Sequence, residues 1–324
     1  MNVCSRWFKL AALLFFFSIF AASHAFAWGC KGHQTVALIA EKHLTPEARQ
    51  FLETLLKENP VDPQLKRYCG NFSGSLLADG STWPDDVRGA LNNGPWHYIE
   101  IPRGATRAPL GAFCGESGCV TQAITEQLAI LKDAHAGPRE RADAVRYLVH
   151  FVGDLHMPLH ASDNNDEGGN CVPVRYFRRN PREQNHSFVP NLHAAWDTLI
   201  VERDMEGADP AEYAEFLEKS FNVDSAVWQK AGIHIEDWTW ESHELAESVA
   251  YGQLIPKDPI EAPVTIHSCA DDNNVGERLR NLHFAVDEHY QEVAAPVVEK
   301  RIAQAGIRLA MLLNEAVKSA QPVN

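Results

Sequence analysis

Apolar residues recur at three- and four-residue intervals through most of the chain, and that period predicts helices. Between Thr35 and His43 they fall at Val36, Leu38, Ile39 and Ala40. Thr45-Pro46-Glu47 then combines an N-cap residue, a first-turn proline and an early acid, which starts a second helix near Pro46. Val120 to His135 places Ile124, Leu128 and Leu131 on one side, Arg139 to Asp154 carries Val145, Leu148, Val149 and Val152, and Val297 to Val317 carries Val298, Ile302, Leu309 and Leu313. Each reads as a core-facing helix. Strand signals are confined to Val172-Pro173-Val174-Arg175-Tyr176, behind the Gly168-Gly169 turn, and Pro173 limits that stretch to an edge. No repeat, low-complexity tract or Gly/Ser-rich linker divides the chain. The expected fold is therefore all-α, a mostly helical single domain with a short β-hairpin, and the proline-rich stretch from Ile255 to Pro263 reads as its longest surface loop.

The first 27 residues break this pattern. Arg6 and Lys9 precede an apolar run from Leu10 to Ala22, and Ala25-Phe26-Ala27 has the small-x-small form of a signal-peptidase site. That run is shorter than a membrane span, so residues 1–27 are expected to be a cleaved secretory signal, leaving residues 28–324 without a spanning segment and placing the protein outside the cell or in a periplasm. Loss of Arg6 and Lys9 takes the formal charge from −14 to −16. Such a surface does not attract polyanions unaided, so a nucleic-acid substrate would need bound cations. Six cysteines remain after Cys4 is removed, which in an exported protein implies three disulfides. Cys114 and Cys119 bracket a flexible Gly115-Glu116-Ser117-Gly118 loop and suit a local bridge; Cys30, Cys69, Cys171 and Cys269 allow three pairings.

Imidazole and carboxylate recur at helical spacing. His150 and Asp154 lie four apart, so on a helix they share a face and can reach one metal together. Gly153 permits close packing beside them, and Pro158 ends the helix so that His160 can turn back toward the same cavity. His193 and Asp197 repeat the spacing on another helix, with Asn191 as its cap. Cleavage after Ala27 adds a free amine at Trp28, five residues ahead of His33, able to chelate together with its own carbonyl. One such pair alone is more often a surface hydrogen bond. Their neighbours, however, are Val, Leu, Phe and Trp, which argues for a buried metal centre. His156 faces away from the His150/Asp154 side and reads as structural.

Taken in order, Trp28-Gly29-x-x-Gly32-His33, Trp83-Pro84-Asp85-Asp86-Val87-Arg88, Trp96-His97-Tyr98-Ile99, the His150-to-His160 motif, Gly168-Gly169-Asn170 and His193-x-x-x-Trp196-Asp197 resemble the secreted single-strand-specific zinc nucleases of fungi, plants and bacteria, in the phospholipase C/nuclease superfamily. The resemblance implies three Zn2+ ions at the base of a cleft: one held by Asp85, His97, His150 and Asp154, a second by Trp28, His33 and the shared Asp154, and a third by His160, His193 and Asp197. It further implies hydrolysis of single-stranded DNA and RNA to 5′-phosphate products, 3′-nucleotidase activity, and no stable protein partner. Asp85 would orient the attacking water and Arg88 would contact a phosphate oxygen; read from the residues alone, Arg88 makes an ion pair with Asp85 or Asp86. Tyr98 stands where the family has a base-stacking aromatic and otherwise reads as core, and Asn170 binds a base edge or shapes its turn. Met157 departs from the glutamine common in relatives, and the acidic loop Asp163 to Glu167 is particular to this chain. Two alternatives are a zinc-dependent phospholipase C, which has a longer gap from the Trp to the first His and Glu in place of Asp197, and a non-enzymatic periplasmic zinc-binding protein.

Overall fold

The computed structural model describes residues 28–70, 74–184, 187–254, 269 and 283–320. The leader, the Ile255–Pro263 loop, and Asn71 and Asn185, which head the glycosylation sequons Asn71-x-Ser73 and Asn185-x-Ser187, lie outside them.

Helices dominate. They are α1 (Gly29–Lys42), α2 (Pro46–Glu58), α3 (Leu76–Gly80), α4 (Trp83–Leu91), α5 (Val120–Lys132), α6 (Pro138–His156), α7 (Leu192–Ala194), α8 (Ile200–Asp204), α9 (Pro210–Ser220), α10 (Asn222–Ala231), α11 (Ile235–Leu245) and α12 (Glu288–Ala320). Among them are the five that the periodicity predicts, α1, α2, α5, α6 and α12. Local chemistry sets several boundaries. The Thr45 hydroxyl accepts from Ala48 N at the start of α2, and Asp209 and Glu212 form a capping box at the start of α9. Pro138 opens α6 at the position where its missing N–H has no partner to lose.

From Ala144 to His156 every residue of α6 is buried, because α1, α5, α11 and α12 pack around it. That is why the helix can hold titratable side chains away from water. Three elements meet again at its C-terminal end. Arg301 of α12 donates to the His156 carbonyl, the Trp238 carbonyl and Ser242 Oγ of α11, and pairs with Glu241; Ser242 Oγ in turn donates to the Leu155 carbonyl. Arg308 also pairs with Glu241 and donates to His156 Nε2. His156, predicted to point away from His150 and Asp154, is thus part of this brace.

The β structure is slighter and differently placed than expected. Of Val172–Tyr176 only β1 (Arg175–Tyr176) is a strand, and it pairs in parallel with β4 (Ala285–Val286). The hairpin follows it, β2 (Arg182–Gln184) against β3 (Ser187–Val189). The Val172–Val174 portion is drawn out of any sheet because the backbone there serves the loop below it: Leu192 N donates to the Val172 carbonyl and Val172 N to that of Gly169. Three disulfides staple the fold, Cys30–Cys69, Cys114–Cys119 and Cys171–Cys269. Among the described residues no helix is long and apolar enough to cross a membrane.

Candidate metal centre and cleft

Five segments converge where α6 ends. Three groups of buried side chains each bring donor atoms within 4.8 Å of one another: His33, His150 and Asp154; Asp85, His97 and His150; and His160, His193 and Asp197. Asp154 stands between the first two. Its Oδ1 lies 3.3 Å from His33 Nε2, while its Oδ2 lies 3.1 Å from His97 Nδ1 and 3.4 Å from His150 Nε2. One carboxylate thereby faces two clusters, as a shared ligand must. His33 stacks on His150 at a centroid separation of 4.0 Å, and a Cβ built on Gly153 would come within 2.8 Å of His33 Nδ1. Only glycine at that position leaves room for the contact.

Backbone carbonyls orient the rings. His150 Nδ1–H donates to Ser81, His160 Nδ1–H to His97, and His193 Nδ1–H to Gly168, at 2.7–2.8 Å. Each therefore turns Nε2 inward, the arrangement in which a carbonyl fixes the tautomer of a metal-binding imidazole. Gly168 adopts φ +58°, and a Cβ there would meet the Leu159 carbonyl at 2.7 Å, so the carbonyl that aims His193 depends on a glycine. Asp197 reaches His193 across a wide π-helical turn, Ala195–Leu199, between α7 and α8, with Oδ2 3.1 Å from Nε2.

The electrostatics suit a cation. His160 Nε2 and His193 Nε2 are 3.1 Å apart with both Nδ1 atoms committed to carbonyls, so two lone pairs oppose each other unless positive charge lies between them. The buried Asp85 Oδ1 and Asp154 Oδ1 accept no hydrogen bond. Burial and the neighbouring Asp154 hold Asp85 well above the usual carboxylate range; burial pushes Asp154 up to about 6 against the opposing pull of His97, and raises Asp197 as well. Burial holds His97 below the ordinary imidazole value and, with the adjacent imidazoles, His150 and His160 well below it. His193 moves the other way, because Asp197 outweighs burial. A cation placed among these groups would oppose the effect of burial and favour the ionised carboxylates and neutral imidazoles, the nitrogen and oxygen donors that zinc takes.

Trp28 sits inside this assembly, fully buried. Cys30–Cys69 ties the first turn of α1, carrying His33, to the segment before α3. The clusters open into a cleft of about 380 Å³ lined by Arg88, His97, Tyr98, His160, Asn170 and His193 among others. Arg88 lines the cleft and lies 3.9 Å from Asp85, as its ion-pair reading expects. Tyr98 is 37% exposed there and is not a core residue, whereas Asn170 Nδ2 donates to the Glu167 carbonyl and so shapes its turn while facing the cleft.

The S1/P1 nuclease family model matches residues 28–318. The chain belongs to the S1/P1 nuclease family. Endonuclease 4 of Arabidopsis thaliana is 28% identical over 308 residues, covering 91% of each chain. Nuclease S1 of Aspergillus oryzae is 27% identical over 90% of this chain and 93% of its own length, and nuclease P1 of Penicillium citrinum 26% over 89% and 97%. Membership in the S1/P1 family makes this a hydrolytic nuclease acting on phosphodiester bonds and sets aside the phospholipase and zinc-storage readings.

Several site-shaping groups carried no sequence signal. The Ser81 and His97 carbonyls that aim His150 and His160 are backbone atoms. The acidic loop proves structural in part: Asp163 Oδ1 accepts from Asp166 N and Gly168 N, and the buried Asp166 accepts from Gly169 N and the Tyr251 hydroxyl. Together they hold the Gly168 carbonyl under His193.

Proposed function

We propose that the chain is exported, cut after Ala27, and acts as a zinc-dependent endonuclease on single-stranded DNA and RNA, leaving 5′-phosphate ends and removing 3′-phosphates from nucleotides. The observation that carries this reading is the convergence of three buried His/Asp groups at one cleft, with Asp154 common to two of them. Three zinc ions are assigned to Asp85, His97, His150 and Asp154; to the Trp28 amine and carbonyl with His33 and Asp154; and to His160, His193 and Asp197. The start of the family match at residue 28 supports the cut. When bound, zinc supplies Lewis-acid polarisation of phosphate and a lowered water pKa. Asp85, beside Arg88 at the cleft wall, orients the attacking water. Arg88 takes a phosphate oxygen through a charge-assisted hydrogen bond. Tyr98 stacks on a base, which requires an unpaired base and so selects single strands. Asn170 offers its amide to a base edge.

Elemental analysis of the processed protein, combined with release of acid-soluble nucleotides from heat-denatured DNA, duplex DNA and RNA, tests the reading. The expected result is three zincs per chain and faster release from denatured than from duplex DNA. Zinc-loaded protein that left both RNA and denatured DNA intact between about pH 5 and 8 would overturn it.

A further inference from the structure

Tyr98 borders two cavities. Beyond the cleft lies a second, of about 140 Å³, that shares Pro95, Tyr98, Ile99 and Glu100 with it and is closed on the other side by Phe113 and the turn Gly115–Gly118. The turn is rigid and anchored to the cleft wall. Cys114–Cys119 closes it, Gly118 N donates to the Gly115 carbonyl, Trp96 Nε1–H donates to the Ser117 carbonyl at 3.1 Å, and Val120 N donates to the Tyr98 carbonyl at 3.0 Å. Its position is therefore set by the same Trp96-His97-Tyr98 segment that reaches the metal centre.

Resting on the single-strand reading above, we propose that this cavity is a second nucleobase subsite, taking the base that flanks the one stacked on Tyr98. Three features specify the ligand. A cavity of roughly 150 Å³ accommodates one benzene-sized ring, so a single base ring fits and a whole nucleotide does not. Its lining is more polar than apolar, with Glu100, Glu116 and Ser117 beside Pro95, Tyr98 and Phe113 and no cationic side chain, which disfavours phosphate and favours a base edge that donates. A carboxylate accepts from the exocyclic amine of cytosine; uracil and thymine have no such amine, and the two-ring purines exceed the space. The subsite thus prefers cytosine, and a strand must unstack two successive bases to fill both cavities.

Gly115→Phe tests this directly. Gly115 lines the cavity, its backbone is not left-handed and a Cβ there meets nothing within 4 Å, so an aromatic ring is accommodated at the cavity wall without backbone strain. The expected result is a KM for a pentanucleotide raised about fivefold or more, the lower end of base-stacking effects, while inhibition by adenosine 5′-monophosphate, which needs only the Tyr98 side, changes less than about twofold. Glu116→Gln, a milder exposed change, is expected to narrow the preference for cytosine over uracil at the flanking position by about threefold or more. An unchanged pentanucleotide KM in Gly115→Phe, or an equal loss of affinity for mononucleotide and pentanucleotide, overturns the subsite. A wild-type enzyme inactive on every single strand instead overturns the reading beneath it.

Discussion

Gly153 shows how little slack the centre has. With a Cβ 2.8 Å from His33 Nδ1, Gly153→Ala must push His33 off His150 or shift α1 against α6. We expect a stability loss of about 1–3 kcal/mol in urea unfolding and a fall in kcat/KM of more than about tenfold, with bound zinc reduced. Unaltered metal content and turnover would show that the contact relaxes. Asp166 offers a second test. Burial and Asp163 push its carboxyl up to about 7 from an ordinary value near 3.8. A raised acid is protonated in the fold where the unfolded chain has already ionised, so the fold loses stability as pH rises from about 4 to about 7 and stays at that loss above. Asp166→Asn keeps an acceptor for Gly169 N and the Tyr251 hydroxyl but carries no charge. The variant should be more stable than wild type at pH 8, by on the order of 2–4 kcal/mol, and nearly equal at pH 4. Thermal melts across that range decide it. At this scale the ligand types were readable, because His150/Asp154 and His193/Asp197 keep helical spacing among apolar neighbours. Asp166 was not, since an acid in a Gly- and Asn-rich stretch looks like a solvated turn until Tyr251, far along the chain, covers it.

Between elements, the decisive joint is the brace of α6, α11 and α12. Glu241 answers two guanidinium groups, of which Arg301 is only 1% exposed, and although burial raises its carboxyl, Arg308 and Arg301 outweigh that and hold it below the usual range. Its contribution is therefore present above about pH 4 and is lost as pH falls through the depressed value. Glu241→Gln leaves both arginines short of a charge partner. A loss of about 1–3 kcal/mol in chemical denaturation is expected, discounted because the Glu241 side chain is itself 39% exposed. Arg301→Met should lose more, since Ser242 Oγ and the His156 carbonyl would also lose the guanidinium that donates to them. Helix periods announced α6 and α12 but neither α11 nor this joint: Glu241, Arg301 and Arg308 each look like solvent-facing charges, and only packing from distant segments brings them together. The strand reading held only at Arg175–Tyr176 for a related reason. Val172-Pro173-Val174 has strand composition, but its backbone is occupied by the Gly169–Leu192 loop that carries His193.

For the molecule as a whole, acidity and substrate are in tension. A net charge of −14, or −16 without the leader, repels a phosphate chain everywhere but at the cations. Few phosphates are then neutralised by the protein, and kcat/KM on a long single strand should fall less than about tenfold between 50 and 200 mM salt, unlike basic nucleic-acid binders that lose about 10³ or more over that interval. A steep decline would show that basic side chains of the protein itself hold the strand. The second molecular test is the terminus: one extra residue ahead of Trp28 should reduce turnover by more than about a hundredfold while the melting temperature stays within a few degrees, because a peptide nitrogen in place of the amine is no zinc donor. Equal turnover would remove Trp28 from the ligand set. The Cys30–Cys69 bridge begins only two residues beyond Trp28 and anchors the helix turn that presents His33. Thiols in a reducing cytosol do not form it. If the chain is exported and cut after Ala27 as proposed, a ribosome making it beside the cell's own messages releases a polypeptide whose hydrolytic centre has neither its tether nor its terminal amine, and competence arrives only where those transcripts are absent.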